Sequence, residues 1–304
     1  MTSRLILLCA FTMLSSCSAD LPASRQKCAG LEGNPMLWVP GGSFVMGSNP
    51  RYPEEGPPRL VRVEGFWMDS HEITNGEFRA FVKATGYQTM AERIPPATSQ
   101  TPAEMRVPGS AVFNVPTRDD PRWWRWVVGA QWRHPSGAKE AIIGKDHEPV
   151  VQVAYQDAEA YAKWAGKKLP SEEQWEYAAR GGNPELPEPL DNDGKPQANY
   201  YQGVFPVRAL DTDGYVGRAP VGCFAPNGFG LYDMIGNVWE WTRSSGARAD
   251  AGEPVNIIKG GSYLCAANYC ARYRPAARQF QERSLGTDHI GFRLVDETRP
   301  SPAN

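Results

Sequence analysis

Histidine is scarce in this 304-residue chain, and an excess of charge is missing. The four histidines are scattered without the spacing of a zinc site, and the net charge is only −2. Near neutrality argues against a nucleic-acid binder that relies on a general basic field. The sequence also lacks internal repeats, low-complexity tracts and any apolar run long enough to span a bilayer as a permanent helix. We therefore expect neither a repeat array nor a chain that crosses a membrane.

Glycine, proline and tryptophan, by contrast, are abundant. The chain has 30 Gly, 27 Pro and ten Trp, with 41% hydrophobic and 22% charged residues. This combination indicates an aromatic-rich core threaded by many turns, with little regular secondary structure. We predict one compact, loop-rich α+β domain over residues 36–296, followed by a tail over residues 297–304.

The first 17 residues have the pattern of a targeting segment. A basic residue precedes an apolar run from Leu5 to Leu14, and small residues follow. The sequence LSSC, which ends at Cys17, resembles a bacterial lipobox and predicts lipidation of Cys17; an ordinary signal peptide is the alternative. Residues 18–35 would then be a tether. Either way we expect an exported protein, periplasmic or held at a membrane only through Cys17, and Ser18 favours the outer membrane.

Capping residues and apolar spacing predict three helices. They run from Thr74 to Gly86, from about Val153 to Gly166, and from Ser171 to Gly181. Two strands joined by a turn are predicted within residues 36–48, and one continuous strand within residues 59–69. Residues 90–147 show no dominant period and are predicted to be a loop-rich excursion anchored by tryptophans.

Two loops carry oxygen side chains in patterns that suit a hard cation. The sequence DTDG, from Asp211 to Gly214, has carboxylates at alternate positions before a glycine. In NGFGLYDMIGNVWEW, the residues Asp233, Asn237 and Glu240 lie close together in the sequence. An ordinary Asp-Gly turn or an Asx cap is the alternative for each loop. These patterns nominate cation sites without deciding between a cation and a turn.

The cysteines of KGGSYLCAANYCARYRPAAR, Cys265 and Cys270, have three possible roles: a disulfide, a metal site or a catalytic thiol pair. Five residues of separation place them about 140° apart on a helix and on opposite faces of a strand, so the segment between them must bend if they are to meet. Two converging thiolates with no third ligand suit Cu(I) better than zinc, which takes four ligands. The arginines that follow, Arg272, Arg274 and Arg278, favour thiolates. In an exported protein a disulfide remains the alternative.

Taken together, these stretches resemble the formylglycine-generating enzyme family, the sulfatase-modifying factors. The similarity runs in order through WVPGGSFVMGS, EITNGEFRAFV, HEPVVQVAYQDAEAYAKWAGKKLPSEEQWEYAARGG, NGFGLYDMIGNVWEW, KGGSYLCAANYCARYRPAAR and HIGFR. The resemblance implies the family's fold, a loop-rich relative of the C-type lectin fold. It also implies the activity, in which O2 and copper oxidise a cysteine of a sulfatase CxPxR-type motif to Cα-formylglycine.

The resemblance further implies a set of site residues. Those at the active site are the Cu(I) ligands Cys265 and Cys270, the serine Ser262 and, lining the copper pocket, Trp239. A first structural calcium site is implied at Asn199, Tyr200 (through its carbonyl), Asp213 and Tyr215 (through its carbonyl). A second is implied at Asp233, Gly236 and Val238 (both through their carbonyls) and Glu240.

Departures from the family pattern leave the substrate open. After Arg278 the chain reads QFQERSLGTDHIGFR, where well-studied relatives have an NTPDSS-like run and often Asn in place of His289. This segment is expected to line the pocket. Positions that form structural disulfides in the family are not cysteine here, whereas Cys28 and Cys223 are a spare pair that could bridge.

Three functions remain in view, of which we favour the first. It is a copper-dependent oxidase that acts on a cysteine of a sulfatase or another polypeptide. The second is a non-catalytic binding lipoprotein in which Cys265 and Cys270 form a disulfide. The third is a periplasmic maturation oxidase with another peptide substrate. Because many members of the wider family lack the cysteines, retention of both favours an oxidase.

Overall fold

A computed structural model describes most of the chain. The described residues are 28–96, 99, 101–183, 189–246 and 253–299. The predicted signal peptide with Cys17, the first part of the tether and the end of the tail lie outside them. Within the described part, no helix is long and apolar enough to cross a membrane.

The architecture is α+β, with short elements joined by long connections, as predicted. The helices are α1 (Asn75–Thr85), α2 (Tyr155–Trp164) and α3 (Glu172–Arg180). The strands are β1 (Met36–Val39), β2 (Gly42–Met46), β3 (Arg59–Val63), β4 (Phe66–Asp69), β5 (Gly109–Phe113), β6 (Trp124–Val128), β7 (Gln202–Val204), β8 (Arg208–Leu210), β9 (Trp239–Gly246), β10 (Val255–Lys259), β11 (Arg278–Glu282), β12 (Ile290–Gly291) and β13 (Val295–Asp296). The prediction of a loop-rich α+β fold is therefore confirmed.

The strands form two small sheets and three hairpins. One sheet has the order β1-β4-β13 and the other the order β11-β10-β9-β12, while β2-β3, β5-β6 and β7-β8 pair as hairpins. In the larger sheet β9 lies between β10 and the parallel strand β12, which places Trp239 opposite Ile290. The candidate residues on β9 and after β10 are thereby carried by one sheet.

The three predicted helices are present, and their ends follow the predicted chemistry. Both predicted capping boxes form, with the Thr74 and Ser171 hydroxyls accepting backbone N–H groups three residues later. Helices α1 and α3 end at Gly86 and Gly181, which adopt the left-handed conformation with φ values of 68° and 59°.

The prediction of one continuous strand over residues 59–69 is wrong. The stretch divides at Glu64 and Gly65 into β3, which pairs with β2, and β4, which pairs with β1. A Cβ on Gly65 would lie 2.4 Å from the Trp38 ring, so only glycine allows this crossing. The alternating apolar residues do lie on strands, but the strands belong to two different sheets.

The region of residues 90–147 contains the β5-β6 hairpin, which the sequence analysis missed. Both strands are partly exposed on each face, so the sequence lacks a clean two-residue period there. Of the tryptophans predicted to anchor the region, Trp132 is fully buried, whereas Trp124 remains 38% exposed. The excursion is anchored at one point and leaves other aromatic rings at the surface.

The pair left open in the sequence, Cys28 and Cys223, is disulfide-bonded. The bridge spans 195 residues and ties the start of the described chain to the loop before Asp233. The Leu31 N–H donates to the Val221 carbonyl at 3.1 Å beside it. A crosslink between such distant positions restricts the unfolded chain strongly and is typical of proteins from oxidising compartments.

Candidate active site

The loop after β10 brings the two cysteines together. Gly261 has a φ of 73°, and a Cβ there would lie 2.5 Å from the backbone of the returning chain. Cys265 then donates its N–H to the Ser262 carbonyl at 2.9 Å, and Cys270 donates to the Ala266 carbonyl at 2.9 Å. These two consecutive turns supply the bend that the spacing of the cysteines requires.

Both thiols are free and in contact. Cys265 is buried and Cys270 is half-buried, and their side chains lie close enough to shift each other's pKa. The neighbouring Cys270 side chain and then burial raise the pKa of the Cys265 thiol, whereas the Cys265 side chain lowers the pKa of Cys270. Two adjacent free thiols are a donor set that fits a soft monovalent cation such as Cu(I).

One of the three arginines predicted to act on the thiols contacts them. The Nη1 atom of Arg272 donates to the Cys270 sulfur at 3.4 Å. Arg274 instead pairs with Glu55, and Arg278 pairs with Glu172 at 3.0 Å. The electrostatic influence on the cysteine pair therefore comes chiefly from Arg272, and the other two arginines hold the surrounding chain.

Trp239 lies in the same buried cluster as the cysteines. It is 2% exposed, shares this cluster with Cys265, and has Cys270 packed against the cluster. The backbone N–H of Trp239 donates to the backbone carbonyl of His289 at 2.9 Å. The His289 ring stacks on Trp124 with centroids 4.8 Å apart. The segment that departs from the family pattern thus contacts the wall of the cysteine pocket.

A stack of three aromatic rings reaches the residue before Cys270, and we call it the aromatic platform: Trp123, Phe205 and Tyr269. The Trp123 ring lies 5.6 Å from Phe205 and 5.5 Å from Tyr269, and the last two are 4.9 Å apart. Tyr269 is 59% exposed and directly precedes Cys270. The exposed Tyr269 ring, packed on the buried Phe205 ring, therefore lies beside the half-buried thiol.

A groove of about 240 Å³ opens at the far end of the β5-β6 hairpin, and we call it the hairpin groove. It runs between apolar side chains and the departing segment, and its lining includes Met90, Ile94, Met105, Trp126, Glu253 and Glu282. The lining thus combines apolar side chains with two carboxylates and one cation, Arg93. The hairpin itself connects this groove to Phe113, whose ring packs 5.7 Å from Phe205 of the aromatic platform.

The first predicted calcium site has a buried oxygen without a hydrogen-bond donor. Asp213 Oδ1 accepts the Tyr215 N–H at 2.9 Å, but Asp213 Oδ2 is buried and has no partner among the described residues. Burial raises the pKa of Asp213 to about 6. The Tyr200 backbone also bonds to this carboxylate, and the Asn199 side chain spans to the Gly217 carbonyl at 2.9 Å. The predicted ligands are brought together, and a cation would satisfy the orphaned oxygen.

At the second predicted calcium site, buried carboxylates outnumber their cationic partner. Glu240 is completely buried, and Arg293 donates to both of its oxygens at 2.8 Å. Asp233 accepts the Gly222 N–H at 2.6 Å. Glu72 was not singled out from the sequence. Its buried Oε2 atom has no hydrogen-bond donor among the described residues and lies 3.9 Å from Arg293 Nη2. Three carboxylates facing one guanidinium leave a charge that a divalent cation would neutralise, although Glu240 is already shared with Arg293.

No three His, Cys, Asp or Glu side chains in the described parts of the chain cluster closely enough to hold a metal alone. Several residues around the sites escaped the sequence analysis, among them Tyr52, Glu54 and Phe205. Each is far in sequence from the cysteines, and no local pattern marks it.

The chain is similar to known proteins over most of its length. It matches the family described as Sulfatase-modifying factor enzyme 1-like domain over residues 22–298. The formylglycine-generating enzyme of Mycobacterium tuberculosis (strain ATCC 25618 / H37Rv) is 47% identical over 286 residues, covering 84% of this chain and 96% of that protein. That of Thermomonospora curvata is 43% identical, covering 86% and 92%. The inactive C-alpha-formylglycine-generating enzyme 2 of Mus musculus is 38% identical, covering 86% and 85%.

Solved structures agree on the fold. PvdO from Pseudomonas aeruginosa superposes with a TM-score of 0.61 at 26% identity, covering 86% of this chain and 94% of that one. CarF superposes with a TM-score of 0.53 at 20% identity, covering 88% and 99%. Sequence and structure comparisons thus point to one group of proteins, within which activity is not uniform.

Proposed function

The chain belongs to the sulfatase-modifying factor enzyme 1-like family, and from this we infer that it is an oxidoreductase that converts a protein cysteine to formylglycine. Family membership alone does not decide activity, because an inactive relative is 38% identical. The observation that carries the inference is the free, converging pair of Cys265 and Cys270, with the Ser262 carbonyl accepting the Cys265 N–H. We propose further that the oxidation depends on copper and O2.

The chemistry assigns definite tasks to the residues of the pocket. Cys265 and Cys270 would hold Cu(I), and the copper would supply the one-electron chemistry that lets O2 react. The substrate CH2–SH group loses two electrons and two protons, one from Cβ and one from sulfur, and becomes a thioaldehyde while O2 is reduced to hydrogen peroxide; water then adds, and hydrogen sulfide leaves. Ser262 orients the Cys265 sulfur, and the buried Trp239 side chain excludes water from it.

An extended polypeptide fits the surface around the pocket. The apolar ring of a proline suits the aromatic platform beside Cys270. The hairpin groove lies at the far end of β5 from Phe113, which packs on the aromatic platform, and we place the arginine of the motif in that groove. The carboxylates of Glu253 and Glu282 there suit the arginine of a CxPxR motif.

The same observations bear on the two alternative functions, a non-catalytic binding lipoprotein and an oxidase for another peptide. The free thiols speak against a binding lipoprotein that needs a Cys265–Cys270 disulfide. An oxidase for another peptide would use the same pocket and differ only in the residues that follow its cysteine. The two carboxylates of the hairpin groove, Glu253 and Glu282, outnumber its one cation, Arg93, and favour the motif with arginine.

The deciding experiment supplies purified, Cu(I)-loaded protein with a CxPxR peptide and O2, and traps the product with a hydrazide. We expect a trapped aldehyde at the cysteine position and none when copper is withheld. A matched peptide with serine in place of cysteine should yield no aldehyde. If a fully loaded protein forms no aldehyde from any cysteine peptide, the oxidase function is wrong.

We also propose that calcium binds the Asp213 site and stabilises the loops around it. A cation that binds only the folded state adds about 2.7 kcal/mol to the free energy of unfolding when its free concentration is about 100 times its dissociation constant. Thermal unfolding should therefore shift upward when calcium is added after chelation. Asp213→Asn should lose part of this shift, because it removes the charge of the orphaned oxygen. Asp211→Asn, an exposed neighbour in the same loop, is the matched control and should keep it. An equal shift in both variants would contradict the site.

Finally, we propose export of the protein, with an anchor at Cys17. The Cys28–Cys223 disulfide supports an oxidising compartment. Cell fractionation tests this location, since a lipidated protein should sediment with membranes and be released when Cys17 is replaced by serine. Recovery of the parent protein in the reducing cytoplasm would contradict it.

A further inference from the structure

Arg272 is held more firmly than an arginine on a loop normally is. Its Nε and Nη2 atoms both donate to Glu54 Oε1, at 2.8 and 2.5 Å. Its guanidinium lies 3.8 Å from the centroid of the Tyr52 ring. The Tyr52 hydroxyl also accepts the Ala271 N–H at 3.0 Å. Three contacts from one short segment thus fix the chain immediately after Cys270, although more than two hundred residues separate the two in sequence.

This arrangement leaves one edge of the guanidinium for sulfur. With two nitrogens on Glu54 and one face on Tyr52, the remaining atom, Nη1, donates to the Cys270 sulfur at 3.4 Å. A planar guanidinium with its orientation fixed on two sides places this donor in one position. The neighbouring loop is braced separately, because Arg274 pairs with Glu55 in the same segment.

We propose that Arg272, held by Glu54 and Tyr52, is a positioning residue that keeps the Cys270 sulfur in place and balances the negative charge when a substrate thiolate joins the cysteine pair. The proposal rests on the proposed function. Two thiolates already exceed the charge of one Cu(I) ion, and a third from the substrate adds to the excess. Arg272 is the cation at hydrogen-bond distance from this group in the described residues. The contribution of Arg272 to the affinity for a substrate peptide should therefore depend on the sulfur of the substrate cysteine and not on the rest of the peptide.

The test compares two peptides that differ in one atom. Anaerobic, Cu(I)-loaded protein is titrated with a fluorescent CxPxR peptide and with the same peptide carrying serine in place of cysteine. In the parent protein the cysteine peptide should bind more tightly. Arg272→Gln should weaken its binding by about tenfold or more, the expected value of a lost charged hydrogen bond, while serine-peptide binding changes less than about twofold. Arg272→Lys keeps the positive charge but lacks the planar set of N–H donors of a guanidinium. It should therefore recover part of the lost affinity for the cysteine peptide.

A second readout does not require a substrate. Competition with a chromophoric chelator measures the Cu(I) affinity of the cysteine pair, and Arg272→Gln should lower it by about tenfold because the anionic pair loses its counter-charge. Glu54→Gln should lower it less. Arg278→Gln is the matched control: Arg278 belongs to the same run and pairs with a glutamate, but it does not contact the thiols.

The outcomes separate the two levels of inference. Unchanged Cu(I) affinity in Arg272→Gln, or equal weakening of both peptides, would overturn the role of Arg272 while aldehyde formation by the parent protein still stands. Absence of aldehyde from the parent protein would overturn the oxidase function, and the chelator competition would still decide whether Arg272 acts on the cysteine pair. A similar loss in Arg278→Gln would mean that the effect is structural.

Discussion

Replacing either Cys265 or Cys270 by serine should reduce aldehyde formation by roughly a thousandfold or more, since removal of a central catalytic group has effects of this size. A serine hydroxyl is a hard, weakly acidic donor that does not hold Cu(I) as a thiolate does. Each variant should also lose stoichiometric Cu(I) binding. Trapping the product with a hydrazide measures the first effect, and chelator competition measures the second.

The chain supplies its own control for this experiment. Cys28 and Cys223 form the disulfide and lie outside the pocket residues described above. The double variant Cys28→Ser/Cys223→Ser should still form aldehyde at a rate close to that of the parent, although it unfolds at a lower temperature. Copper-dependent aldehyde formation above about a tenth of the parent rate in Cys265→Ser would show that the pair is not the catalytic centre.

Helices were the part of the fold that the sequence predicted best, because their signals are local. Thr74 and Glu77, or Ser171 and Gln174, lie three residues apart, and the hydrogen bonds between them depend on little else. The strand over residues 59–69 failed for the complementary reason. Its alternation reports only that a residue faces a core, and it does not report which sheet that core belongs to.

The candidate site divides in the same way. The two cysteines could be paired from their spacing and from the small residues between them, and Ser262 and Trp239 entered through the family resemblance. Tyr52 and Glu54 could not be found, because their contacts with the cysteine loop arise only when the chain has folded. Glu72 was missed for another reason: a lone glutamate in a helix-capping region gives no sign that it will be buried beside two other carboxylates.

Arg293 holds these buried carboxylates together, and its loss should be the most destabilising change predicted for the fold. It is completely buried and donates to both oxygens of Glu240 and to the Tyr232 carbonyl at 2.9 Å. Removing one partner of a buried ion pair costs about 3–5 kcal/mol, because the other charge stays buried without compensation. Arg293→Met should therefore lower the free energy of unfolding by about this amount, as measured by urea denaturation followed by circular dichroism.

Exposure, not the presence of an ion pair, should determine the size of this loss. Arg79 pairs with Asp146 at 2.7 Å, but its side chain is 44% exposed, so Arg79→Met should cost about 1 kcal/mol or less. Adding Glu240→Leu to Arg293→Met removes the uncompensated carboxylate, and the double variant should regain part of the stability even though Trp175 loses its acceptor. If Arg293→Met lowers the free energy of unfolding no more than Arg79→Met does, Glu240 is not left as an uncompensated buried charge, and the prediction is wrong. Glu240 is also a predicted ligand of the second calcium site, so the denaturation is measured after chelation, when no bound cation can replace the charge of Arg293.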